Sequence, residues 1–87
     1  MHEASLVNDL IRKINTVVLE QEGRRAISVK VKLGALSHIS SEHLQQHFQL
    51  ASKDTVAEGA HLECQISEDL KDPFAEDILL ESVEFEV

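Results

Sequence analysis

Ile27-Ser28-Val29-Lys30-Val31-Lys32-Leu33 decides the architecture, because apolar residues alternate with polar ones along its whole length. A period of two turns one face of a strand to a core and the other to water. Upstream the rhythm changes. Leu6, Val7, Leu10, Ile11, Ile14, Val17 and Val18 fall three and four apart, which predicts one amphipathic helix over residues 4–22 stopped at Gly23. Downstream, Ser40 or Ser41 caps a second helix running to Ser52, with Glu42 in its first turn and Leu44, Phe48 and Ala51 on its buried side.

Residues 53–59 read as loop. Leu62, Cys64 and Ile66 then alternate with His61, Glu63 and Gln65 in a second strand, and Leu79, Val83, Phe85 and Val87 alternate with Glu84 and Glu86 in a third. Between these two strands, SEDLKDPFAED (residues 67–77) holds the only proline and is too long for a tight hairpin turn. The element order is αβαββ. The fold class is α+β, a three-stranded sheet with two helices packed on one face, since that arrangement buries every apolar stripe at once.

A chain of 87 residues supports one domain, residues 1–87, and buries only about 60% of the surface its unfolded form exposes, too little for a deep catalytic cleft. With 43% hydrophobic residues but only 3 Phe and neither Trp nor Tyr, the core must be aliphatic. Sixteen acidic against eight basic residues give a net charge of -8, which repels nucleic acid and anionic membranes. The single cysteine, Cys64, forms neither an internal disulfide nor a CxxC pair. Acidic residues near the N-terminus and the lack of a long apolar run predict a cytoplasmic protein with no membrane span. The three glycines form no phosphate loop, and no nucleophile, base and carboxylate set is marked out, so an enzyme is not expected.

Metal binding is the chemistry the residues do suggest. In Met1-His2-Glu3 the α-amine, the His2 backbone nitrogen and the His2 imidazole can close fused chelate rings on one cation, and Glu3 adds a carboxylate. Such a nitrogen-rich set suits Ni(II) or Cu(II) better than Mg or Ca and does not select against cobalt. By itself the tripeptide reads more readily as a start methionine and two polar residues before a helix. A helix of about 18 residues rises about 27 Å and a strand of about 8 returns about 26 Å, which brings the 34–42 loop back towards the N-terminus. His38 in that loop is then either a fourth donor or an ordinary loop histidine, with Glu42 as another candidate. His43 and His47, four apart, can reach one metal, but they flank Leu44 and Phe48 and read better as a solvated or half-buried helix face. His61 and Cys64 lie on opposite faces of their strand, with Cys64 towards the core.

The segments MHEASL, SVKVKLGALSHIS, EHLQQHF, TVAEGAHLE and SVEFEV, in this order, resemble the HypA/HybF family of nickel-insertion proteins, over nearly the whole chain apart from residues 67–77. The resemblance implies a nickel metallochaperone for [NiFe]-hydrogenase or a related nickel enzyme, with a HypB-type GTPase and the hydrogenase large subunit as partners. It places nickel on Met1, His2 and Glu3. Family members carry a zinc module with two CxxC pairs between the last two strands. Here residues 67–77 stand in that place without cysteine, so no structural zinc is expected. The lost module favours an alternative, a metal-independent adaptor of the same fold docking on a maturation partner. A last strand tethered by a flexible loop also predicts a strand-swapped homodimer.

Overall fold

In the computed structural model, which describes residues 3–87, the elements are α1 (Glu3–Glu20), β1 (Arg25–Leu33), α2 (Ser41–Ala51), β2 (His61–Ile66) and β3 (Ile78–Glu86). The order matches the αβαββ expectation, and the α+β class holds. β1 is the central strand, parallel to β2 on one side and antiparallel to β3 on the other. The single crossover from β1 to β2 carries α2, as a parallel pair requires.

The α1 stripe is buried through Val7, Leu10, Ile11, Ile14 and Val18, and α2 contributes Leu44 and Phe48. These meet Ala26, Val29, Val31 and Leu33 of β1, Leu62 of β2 and Ile78 of β3 in one cluster. Ser40 caps α2, its Oγ accepting from the His43 backbone N–H at 3.1 Å. The α2–β2 loop is not idle: Ala57 is fully buried, and Ala26 N–H donates to the Val56 carbonyl at 2.8 Å.

Two β-bulges correct the strand faces expected from simple alternation. Ala26 pairs with Phe85 while Ser28 pairs with Glu84, so Ile27 is an extra residue on β1. Ala26 therefore turns inward, and Ile27 is left 45% exposed. On β3, Lys30 pairs with Ser82 and Val31 with Leu80, which makes Glu81 the extra residue. The inward set of β3 is accordingly Ile78, Leu80, Val83 and Phe85, with Leu79 on the outer face and Val87 exposed.

Residues 67–77 form a chain of turns, not the flexible tether expected. Ser67 Oγ and the Asp69 and Asp72 carboxylates accept from backbone N–H groups two residues ahead. The segment is also fastened to the β1–α2 loop, where Leu36 N–H donates to the Ala75 carbonyl at 2.7 Å and Gly34 N–H to that of Asp77 at 2.9 Å. Ala75 is buried beneath this contact.

Candidate metal centre at the start of the first helix

Glu3 occupies the first turn of α1, one turn before Val7 on the face that packs inward. α2 lies against that face and brings two histidines to the Glu3 carboxylate. His47 Nδ1 is 2.8 Å from Oε2, and His43 Nδ1 is 3.9 Å from Oε1. A carboxylate only accepts, so the close nitrogen of His47 is the protonated one and Nε2 points elsewhere. Glu3 and His47 are each about one-third exposed, whereas His43 is largely in water. A shallow open groove lined by Glu3, His43, Gln46, His47 and Leu50 runs over the pair.

Two of the four donors suggested by sequence, Met1 and His2, lie outside the described residues. Glu3 is held as above. His38 is exposed in the loop between β1 and α2, on a left-handed backbone with φ 59°, a conformation histidine adopts more readily than most residues. The described contacts of the Glu3 carboxylate within 4.0 Å are those with His43 and His47. His61 is exposed on the edge strand and Cys64 is half-buried against the core. Among the described residues no three histidine, cysteine or acidic side chains converge as a ready-made metal site. Glu3 and His47 can therefore serve a cation only together with further donors, and the residue after which a donor would be sought is Glu3 itself, at the head of its helix.

The reading of α2 as a solvated or half-buried face fits His43 and His47, but it did not give His47 its partner, Glu3. A signal for it existed in the sequence: Glu3, Val7, Leu10, Ile14 and Val18 form one continuous stripe, and His43 and His47 each sit next to a buried residue of the opposing stripe. What the sequence did not hold was the register in which the two helices face each other.

Comparison with known proteins places these features in a group. The family model for HypA, described as hydrogenase/urease nickel incorporation metallochaperone, matches residues 1–70. The hydrogenase maturation factor HypA of Archaeoglobus fulgidus is 41% identical over 66 residues, covering 76% of this chain and 60% of the relative. That of Methanococcus maripaludis strain C5 is 37% identical over 71 residues, covering 76% and 56%. The chain thus spans about three fifths of the length of the curated relatives it matches. The solution structure of the Ni metallochaperone HypA from Helicobacter pylori superposes with a TM-score of 0.81 at 16% identity, covering 99% of this chain and 98% of that one, and so shares its fold. By the match over residues 1–70 and the identity to these relatives, the chain belongs to the HypA family.

Proposed function

We propose that this protein is a nickel-binding accessory protein, a carrier and not an enzyme, that serves maturation of [NiFe]-hydrogenase or a related nickel enzyme. The observation that carries this reading is the coincidence of the HypA family match, which begins at residue 1, with a Glu3 carboxylate fixed by α2 beside the chain's first residues. Nickel is the cargo. Its donors are Met1 through the α-amine, His2 through backbone and imidazole nitrogens, and Glu3, with His38 as the fourth donor residue. Such a set fits a borderline cation better than Mg or Ca.

Held at 2.8 Å by His47, Glu3 does not have to be ordered at the moment of binding, which lowers the entropy cost of closing the site. Residues 67–77 stand where the family carries its zinc module, and the one domain here spans 1–87. A HypB-type GTPase and a hydrogenase large subunit are the partners this reading names, and the cytoplasm is the compartment; no helix among the described residues is long and apolar enough to cross a membrane.

The test is a calorimetric nickel titration of the chain with a free α-amine against the same chain with the amine acetylated. Acetylation removes one donor and is expected to weaken the nickel-binding site by more than about tenfold. His38→Asn, which tolerates the left-handed backbone, should weaken it further if His38 is the fourth donor and leave it unchanged if it is not. Equal binding with and without the free amine would sink the N-terminal site, whereas no nickel binding by the free-amine chain together with retained partner capture would favour the metal-independent adaptor.

A further inference from the structure

α2 carries a pair of histidines that the N-terminal site does not use as donors. We propose that His43 and His47 form a second site on α2, in which their two imidazole nitrogens take a borderline divalent cation such as Zn(II), Ni(II) or Cu(II), and Glu3 orients His47 from the outer shell. Histidines four apart on a helix project from one face, the spacing at which two imidazoles reach a single metal. Imidazole suits these three cations.

The local geometry supplies what the spacing alone lacks. A ligating histidine ordinarily donates its other ring N–H to a carboxylate, which fixes the tautomer and raises the basicity of the ligating nitrogen. His47 meets that requirement, with Nδ1 on Glu3 Oε2 at 2.8 Å. Nε2 is then the nitrogen left to ligate. His43 has its Nδ1 at 3.9 Å from the other oxygen of the same carboxylate, which puts both imidazoles beside Glu3. Their accessibility is sufficient, His43 being 72% and His47 32% exposed along an open groove. Only two donors come from α2, so water completes the coordination. An open shell of this kind exchanges its metal readily, and it lies beside Glu3.

The site on α2 does not rest on the N-terminal reading, and the experiment keeps the two apart. The full chain is prepared with an acetylated α-amine and His2→Ala, which removes the amine and imidazole donors of the N-terminal site and leaves Glu3 to orient His47, and is titrated with Zn(II). Calorimetry gives the stoichiometry, and proton–nitrogen spectra of the imidazole rings report the ligands. The expected result is uptake of one cation with the ring nitrogens of His43 and His47 shifting together. Adding His43→Ala, an exposed position that leaves the fold intact, or His47→Ala should each weaken uptake by about tenfold or more. Far-UV circular dichroism checks the fold of the His47 variant. No uptake by the acetylated His2→Ala chain at millimolar zinc, or uptake unchanged when both α2 histidines are replaced, overturns the proposal.

Discussion

Gly34 has no side chain because another stretch of backbone occupies the space a Cβ would fill. A Cβ built there would stand 2.1 Å from the Ala75 carbonyl oxygen and 2.7 Å from that of Phe74. Neither is a flexible side-chain end, so the clash can be relieved only by moving the 74–77 turn off the β1–α2 loop. Gly34→Ala is therefore expected to destabilise the fold by about 1–3 kcal/mol, the usual cost of forcing a methyl into packed structure, read as a lower urea midpoint. An unchanged midpoint would mean that the two loops are not locked together. At the same scale, the chemistry of Met1, His2 and Glu3 made them candidate donors, a reading that the family resemblance strengthened. The sequence did not expose His47 as the partner of Glu3, because a contact 44 positions away depends on the register in which two helices pack.

At the scale of elements, the helices and their stripes were legible because a period of 3.6 is sustained over both of them. The strands were legible as strands and largely in their facing, since Val29, Val31, Leu33, Leu62, Val83 and Phe85 do pack inward, but the facing of Ile27 and Leu79 was not. One inserted residue reverses the side on which all later residues point, and β1 and β3 each contain one, at Ile27 and Glu81. Nothing in the composition of RAISVKVKL announces the first bulge, since isoleucine in an alternating run looks like a core residue. The structure predicts that Ile27→Ala costs no more than about 1 kcal/mol, the range of partly exposed positions. Val29→Ala, two residues on and fully buried, should cost about 2 kcal/mol through lost burial and the cavity left behind. Chemical denaturation of the two variants side by side measures the difference. Equal losses would mean that Ile27 is as buried as the alternation implies and that the bulge is absent.

For the whole molecule, the third strand is the element whose ownership matters most. It sits at the sheet edge against β1, reached through residues 67–77. A free tether of that length would let β3 exchange between two copies. Here the tether is fastened at Gly34 and Leu36, and Lys32 approaches Asp72 at 4.0 Å across the same junction. Exchange must first break those bonds. Light scattering coupled to size exclusion is expected to show a dimer only slowly and at high concentration, and to show more of it in Gly34→Ala, where the fastening is strained. A dimer that forms at once in the parent chain, and to the same extent in the variant, would mean that the loop contact does not restrain β3.

The remaining whole-molecule property is nickel itself. The family match and the fixed Glu3 carboxylate both direct attention to the first three residues, so the most direct measurement is calorimetric nickel titration of the untagged chain beside His2→Ala. The parent is expected to bind nickel tightly in a way that fails as pH falls through the imidazole range, since ligating nitrogens must be deprotonated. His2→Ala is expected to lose more than about tenfold in affinity while keeping its fold. Equal affinities for the two proteins would contradict a nickel site at the N-terminus.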